Sequence, residues 1–210
     1  MGSLLLKLII EQLDQYVRSV ESPINNVADK RVVLGNIGAS RFAGGEGGNA
    51  NNPLEDRVVV TLVNIAEEGS LKNNTSMRVV NQQAIQYNPV VHVNLYLLFT
   101  ANFDIYDTAV NHLFRVLEFF QGRKIFKFKN APLAGGLTGD EQQIEEIELT
   151  MDLHTLSFEQ LNDLWGSLGG KQMPFVLYRA RLVPVQMEKP ILRESLVREI
   201  DLATKKMESF

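Results

Sequence analysis

Two apolar segments constrain the fold of this chain more than any other feature. The first, residues 56–65, contains the run Val58-Val-Val-Thr-Leu-Val63, and the second, residues 90–99, alternates apolar residues with mixed ones. Bounded runs of this length, rich in β-branched residues, predict strands. The first segment is apolar on both faces near its middle, so we expect it to lie in a sheet that is covered on both sides.

Three segments with apolar residues at three- and four-residue spacing predict helices. The first ends near Pro23 and has the apolar positions Leu6, Ile9, Ile10, Leu13, Val17 and Val20. The second covers residues 105–121, with Asp104 as its expected N-cap. We expect its buried stripe at Ile105, Ala109, Leu113, Val116, Leu117 and Phe120. The third begins at a capping box formed by Ser157 and Gln160, and it carries Trp165 on its apolar face.

Further strands are predicted at residues 31–35, 124–129 and 144–153 and at Phe175–Val185, with another candidate at Met77–Val80. Two glycine-rich segments, residues 36–56 and 130–141, are predicted as long loops. Strands and helices in this order predict an α+β fold, with a mixed or antiparallel sheet flanked by helices.

Residues 196–204 alternate between a mostly apolar and a mostly polar side, and this alternation predicts a strand. Because Pro184 and Pro190 interrupt the chain before it, we divide the sequence into a domain at residues 1–189 and an extended C-terminal arm at residues 190–210. The arm either pairs within its own domain or adds a strand to a partner's sheet. A short helix stays open as an alternative, because Leu192, Leu196 and Ile200 are spaced by four.

Composition narrows the classes of function. The net charge is -4 and the 21 basic residues are scattered, so we do not expect nucleic acid as the main partner. The chain has 0 cysteines, which excludes disulfides, thiolate metal sites and a cysteine nucleophile. The apolar run at residues 4–10 is interrupted by Lys7 and is too short to span a bilayer.

Only one group of residues suggests catalysis. Asp152, His154 and Ser157 lie close in sequence and would suit a small hydrolase, but such triads are defined by geometry, and Ser157 is already predicted as a helix cap. Asp152 and His154 alone would make a poor metal site. We therefore predict no catalytic residue, no metal and no cofactor.

One segment combines lysines with aromatic residues: Lys124, Phe126, Lys127, Phe128 and Lys129. This pattern fits a nucleic-acid stacking platform. An amphipathic edge strand, whose lysines discourage unwanted pairing, explains the same pattern better.

Several phrases together resemble a known family. They are the opening helix, the strand at residues 56–65, the phrase NPVVHVNLYLLFTANF at residues 88–103 and the phrase LHTLSFEQLNDLWGSLGGK at residues 153–171. The chain resembles the tail-terminator (cap) proteins of phage-tail-like extracellular contractile injection systems. The resemblance implies a non-enzymatic, six-fold ring at the tube end distal to the baseplate, which stops tube growth and joins the last sheath layer.

The implied partners are the inner tube protein, the sheath protein and further copies of the chain, with no small-molecule substrate. The chain would be cytoplasmic during assembly and later part of the particle. We expect the long loops to face the tube, through Arg41, Phe42, Asn49, Leu133 and Leu137. The arm would bind the sheath or a neighbouring protomer through Leu196, Arg198, Ile200 and Leu202. The alternatives are a baseplate or tube-initiating component of the same particle and, from the residues alone, a small hydrolase.

Overall fold

The computed structural model describes residues 2–21, 30–40, 53–69, 77–80, 83–86, 88–127, 148–185 and 192–195. They belong to two compact units. One consists of Met1–Glu68 and His92–Val183, and the other of Gly69–Val91 and Pro184–Phe210.

Helices and strands alternate irregularly along the chain. The helices are α1 (Gly2–Glu21), α2 (Ile37–Ser40), α3 (Tyr106–Gly122) and α4 (Phe158–Ser167). The strands are β1 (Val32–Leu34), β2 (Arg57–Glu67), β3 (Met77–Val80), β4 (Gln83–Gln86), β5 (Val91–Asn102), β6 (Ile125–Lys127), β7 (Glu148–Leu153), β8 (Phe175–Val185) and β9 (Leu192–Ser195).

The first unit is built on one sheet in the order β1-β2-β5-β8-β7-β6. The edge strand β1 is parallel to β2, whereas β2 and β5, β7 and β8, and β6 and β7 are antiparallel pairs. The predicted α+β class with a mixed sheet is therefore confirmed.

Helices cover both faces of this sheet, as the apolar middle of β2 predicted. Val58 and Val60 belong to a core that includes Leu13 of α1 and Phe120 of α3. Val59 lies on the opposite face, in a smaller core against which Leu164 of α4 packs. Successive residues of a strand point to opposite faces, so the valine run contributes to both layers from the same strand.

The start of α3 differs from the sequence-based expectation. Its N-cap is Ile105, with φ -90° and ψ 116° and no capping hydrogen bond from its side chain. Asp104 therefore lies one residue too early to be the cap, and Ile105 is 66% exposed instead of belonging to the buried stripe. Asp107 in the first turn supplies the negative charge that favours a helix N-terminus.

The two segments predicted as long loops have different outcomes. The segment at residues 36–56 is not wholly a loop, because α2 occupies Ile37–Ser40 and residues 53–56 form a turn. Residues 41–52 and the whole second segment, residues 130–141, lie outside the described residues.

The polar stretch before β5 contains a strand that was not predicted. The expected strand β3 is present, and β4 follows it at Gln83–Gln86. The sequence does not predict β4, because two of its four residues are glutamine and its apolar and polar residues do not alternate.

The second unit contains a three-stranded sheet in the order β3-β4-β9. Both β3 and β9 are antiparallel to β4. The described residues of the predicted arm therefore pair within their own chain as a strand. The boundary at residue 190 stays a prediction.

Candidate assembly interface

The residues predicted to contact partners fall outside the described part of the chain. This holds for the predicted tube-facing residues Arg41, Phe42, Asn49, Leu133 and Leu137. It also holds for the predicted arm residues Leu196, Arg198, Ile200 and Leu202. Both sets stay predictions.

The three residues of the hydrolase alternative have separate partners. Ser157 Oγ accepts the backbone N–H of Gln160 at 3.2 Å, and the Ser157 N–H donates to Gln160 Oε1 at 3.1 Å, which confirms the predicted capping box. Asp152 Oδ2 lies 3.5 Å from Arg181 Nη1. The His154 ring packs edge-on against Tyr96, with centroids 5.2 Å apart. The three side chains thus contact different partners.

The described residues also contain no group of three or more His, Asp or Glu side chains that could hold a metal ion. None of the described helices is long and apolar enough to cross a membrane.

The lysine and aromatic segment is an edge strand in its described part. Phe126 is 2% exposed and packs in the main core, so it cannot stack on a base. Lys127 lies 3.3 Å from Glu148 of the neighbouring strand, and β6 is the outermost of the described strands at this end of the sheet. The edge-strand interpretation is confirmed for these residues, while Phe128 and Lys129 lie outside the described part.

At the opposite end of the sheet, an apolar groove of about 610 Å³ runs beside β1 and β2. It is bounded by the first turns of α1 and the last turn of α4. Its lining is mostly aliphatic and consists of Leu6, Leu34, Gly35, Asn36, Thr61, Leu62, Val63, Ile65, Leu95, Leu164, Ser167 and Leu168. Three of these leave large apolar area in solvent: Leu34 is 43%, Leu62 38% and Ile65 56% exposed.

The groove follows a sheet edge that is only partly covered. β2 has 11 residues, but β1 pairs only with Val58, Val59 and Val60. Among the described residues, no strand pairs with β2 beyond Val60 on the side of β1. The register of β2 against β5 also shifts between Leu62 and Asn64, an irregularity of the kind that re-aims side chains at sheet edges.

Thr61 fixes the backbone at the floor of this groove. Its Oγ1 donates to the Gly35 carbonyl at 2.7 Å and accepts the N–H of Ile37 at 3.2 Å. The hydroxyl thus holds the chain that leaves β1 against β2 and leads it into α2.

Asp14 of α1 holds the beginning of β1 from the helix layer. Its side chain is buried, and its Oδ1 accepts the N–H groups of Arg31 at 2.7 Å and Val32 at 3.0 Å. β1 is therefore held in place by α1 as well as by β2.

Glu21 ties the end of α1 to α3 and to the entry of β1. Its Oε1 lies 2.7 Å from Arg115 Nη1 and 2.5 Å from His112 Nε2, and its Oε2 accepts from Arg31 Nε at 3.1 Å. The His112 ring also stacks on Phe103, with centroids 4.2 Å apart. The Glu21 carboxylate thus contacts three side chains, two from α3 and one from the entry to β1.

Three large apolar side chains at α3 are also exposed. Tyr106 and Phe114 of this helix are 72% and 60% exposed, and Ile105 adjoins them at the N-cap. Neither these exposed side chains nor the groove was predicted, because both become visible only when the exposure of each side chain is known. For the groove, the sequence contained one indication: the apolar run in β2 is longer than the apolar run in β1.

The fold of this chain is similar to that of two terminator proteins of known structure. The chain is similar to the sheath/tube terminator, in the extended state, of an extracellular contractile injection system named PVC, with a TM-score of 0.57 and 15% identity over 98% of this chain and 64% of that chain. It is also similar to the tube-terminating cap of the anti-feeding prophage, with a TM-score of 0.57 and 14% identity over 95% of this chain and 60% of that one. Identities this low establish the shared fold. This chain spans less than two thirds of the length of either relative.

The sequence relationship is more specific. The family model described as the Pvc16 N-terminal domain matches residues 6–199, and the chain belongs to that family. No curated protein matches the chain by sequence. The family resemblance inferred from the sequence is confirmed.

Proposed function

We propose that this protein is the structural cap of a contractile injection particle and terminates the inner tube at the end distal to the baseplate. One observation carries the proposal: the fold of this chain is similar to that of a sheath/tube terminator, with a TM-score of 0.57 over an alignment that covers 98% of this chain. A second terminating cap with the same fold supports the same role. In this role the protein stops the addition of tube subunits and joins the last sheath layer.

The proposed form is a closed ring of identical copies, most simply a hexamer that matches the symmetry of the tube. Head-to-tail contacts close a ring when the rotation between subunits is right, and they require two different surfaces on each copy. The groove beside β2 is our candidate for one of these surfaces, and the exposed Tyr106 and Phe114 of α3 are our candidates for part of the other. The partners are then the inner tube protein, the sheath protein and the chain itself. Assembly takes place in the cytoplasm, and the cap afterwards remains in the particle.

Contacts with the tube are assigned to the two glycine-rich segments, with Arg41, Phe42, Asn49, Leu133 and Leu137 as the contact residues. Segments of this composition lose much conformational freedom when they bind, which suits a contact made late in assembly. Deletion of residues 44–52 should preserve the fold and weaken tube binding in a co-sedimentation assay. Loss of the folded state on deletion would show that the segment is structural.

The proposal contains no enzymatic step. Ser157, Asp152 and His154 each contact a different partner, which supports a structural role over a hydrolase.

The experiment that tests the proposal is electron microscopy of particles from a strain that lacks the protein. Tubes of uncontrolled length with intact baseplates are the expected result. Tubes of normal length would contradict termination. Absent baseplates would support the baseplate or tube-initiating alternative instead.

A further inference from the structure

We propose that the groove beside β1 and β2 receives helix α3 of a second copy of this chain, with Tyr106, Val110 and Phe114 as the side chains that enter it. A helix that lays its apolar side chains in a hydrophobic groove is a common mode of recognition between proteins. This inference deepens the proposed function, on which it rests, because it assigns the contact that joins neighbouring copies of the ring.

Tyr106, Val110 and Phe114 form one row along the outer side of α3, which we call the α3 ridge. They are spaced by four residues, and side chains at this spacing are neighbours on a helix and form a ridge. Tyr106 is 72% and Phe114 60% exposed, and Val110 between them is half-buried. The ridge contains no charged residue, so an uncharged groove can cover it without leaving a charge unpaired.

The groove matches the α3 ridge in composition and in length. None of its described lining residues is charged, and most of them are aliphatic. The lining stretch of β2 from Thr61 to Ile65 is about 13 Å long, at ~3.3 Å per residue. The ridge from Tyr106 to Phe114 is about 12 Å long, at ~1.5 Å per residue. A groove of about 610 Å³ is also large enough for aromatic side chains.

Charged residues beside the two surfaces set the direction in which the helix lies in the groove. Asp107 and Glu118 are both exposed and are about three helical turns apart, so they lie on the same flank of the α3 ridge. Beside the groove, Lys7 is exposed next to Leu6 on α1, and Asp163 is exposed on α4. Because opposite charges attract and like charges repel, the acidic flank of the ridge faces α1 of the receiving copy and the uncharged flank faces α4.

The positions of the two surfaces require a second copy. α3 packs on its own sheet through Phe120, whose ring centroid lies 5.9 Å from that of Phe126 in β6 and 4.6 Å from that of Tyr178 in β8. The groove borders β1 and β2, toward the other end of the described sheet. Because its buried side holds α3 in place, its outer ridge cannot enter the groove of the same copy. Two different surfaces toward opposite ends of one sheet form a head-to-tail contact, which can close a ring.

Because the chain has 0 cysteines, the contact can be tested by disulfide formation between two full-length variants. Leu62→Cys is co-expressed with differently tagged Tyr106→Cys, Val110→Cys or Phe114→Cys in turn, and the purified protein is oxidised. Ile125→Cys is the matched acceptor control, because Ile125 is 50% exposed on β6 at the opposite end of the described sheet. At least one donor should give a mixed disulfide about tenfold faster with Leu62→Cys than with Ile125→Cys, since docking raises the effective thiol concentration.

Equal rates for Leu62→Cys and Ile125→Cys with every donor would overturn the proposal. So would a double variant, Leu62→Cys with Phe114→Cys, that closes its disulfide within a single chain. Excess cross-linking that disappears when purified sheath or tube protein is added, with no change in oligomer size, would identify that protein as the occupant of the groove and would also overturn the proposal.

A second pair of variants tests the ridge without relying on disulfide geometry. Phe114→Ala should shift the oligomer to smaller species in light scattering, because a few buried aromatic anchors supply most of the affinity at contacts of this kind. Phe158→Ala is the matched control and should leave the oligomer unchanged, since Phe158 is 91% exposed on α4 and does not line the groove. Unchanged oligomers with Phe114→Ala would contradict the inference. Tube-end capping in the deletion strain is measured separately, so failure of this contact can be distinguished from failure of the proposed function.

Discussion

The carboxylate of Asp14 accepts the backbone N–H of Val32 at 3.0 Å and so fixes the first residue of β1 to helix α1. The same oxygen accepts the N–H of Arg31, and the second oxygen lies 2.9 Å from Arg18 Nη2. β1 has 3 residues, so its pairing with β2 provides few hydrogen bonds, and the contacts with Asp14 add to them.

Asp14→Ala should therefore lower the free energy of unfolding by about 2–4 kcal/mol, because it leaves buried donors without an acceptor. Urea unfolding, followed by the fluorescence of the single tryptophan, Trp165, measures the loss. Glu11→Ala is the matched control on the same helix, since its pair with Lys30 spans 3.7 Å at the surface, and it should cost about 0–1 kcal/mol. Similar effects of the two substitutions would contradict the anchoring role of Asp14.

Glu21→Gln should destabilise the protein by roughly 1.5–3 kcal/mol, because it weakens charge-assisted hydrogen bonds to side chains of α3 and of the entry to β1. Glu118→Gln is a suitable control, because the Glu118 carboxylate accepts only a long hydrogen bond among those described, 3.4 Å from the Tyr16 hydroxyl. Thermal unfolding of both variants measures the difference in stability. A glutamine at position 21 that leaves the melting temperature unchanged would show that the cluster adds no stability.

Ser157→Ala should cost about 0.5–2 kcal/mol through loss of the N-cap of α4. Ser167→Ala, at the other end of the same helix, should have a smaller effect, because its hydroxyl donates to the Leu164 carbonyl and caps no N–H. Capping of tubes should survive in both variants at low temperature. Loss of capping by Ser157→Ala with unchanged stability would favour a chemical role for the hydroxyl.

Burial raises the pKa of Tyr178 to about 12. An unfolded tyrosine ionises near pH ~10, so the folded state holds the proton more tightly than the unfolded state at alkaline pH. The stability that depends on this proton is complete below about pH 10 and is lost as the pH rises toward about 12, at roughly 1.4 kcal/mol per pH unit within that window. Urea unfolding at several pH values measures the slope.

Tyr178→Phe should flatten this alkaline loss of stability, because phenylalanine has no proton to release. Tyr106→Phe is the matched control, since Tyr106 is 72% exposed, and it should leave the slope unchanged. Identical slopes for the two variants would contradict the assignment to Tyr178.

The strands with strong apolar runs were predictable from the sequence. β8 begins and ends where it was expected, at Phe175 and Val185, because Pro174 and a long β-branched and aromatic run mark it. The capping box at Ser157 was predictable for a similar reason, since its partners are close in sequence and no distant contact decides it.

What could not be predicted depends on contacts between distant parts of the chain. In the sequence, Asp14 has the pattern of an ordinary residue on the polar side of a helix. Its carboxylate becomes a buried acceptor only because β1, whose donor Val32 is distant in sequence, packs against it. The groove residues Leu62 and Ile65 are exposed in the part of β2 that lies beyond its pairing with β1, and no local pattern fixes where an edge strand ends.

The start of α3 was misplaced for a different reason. It depends on the extended backbone angles at Ile105, which place the first helical residue at Tyr106. A strong capping residue such as Asp104 one position earlier does not determine those angles, because N-cap preference is a matter of about 1 kcal/mol and packing of the helix can override it.

The central claim, that this protein closes the tube end distal to the baseplate, is tested most directly by cryo-electron microscopy of intact particles that carry an affinity-labelled copy of the chain. The account predicts label and ring density at the tube end opposite the baseplate, in contact with the last tube and sheath layers. Label at the baseplate, along the tube or absent from the particles would contradict it.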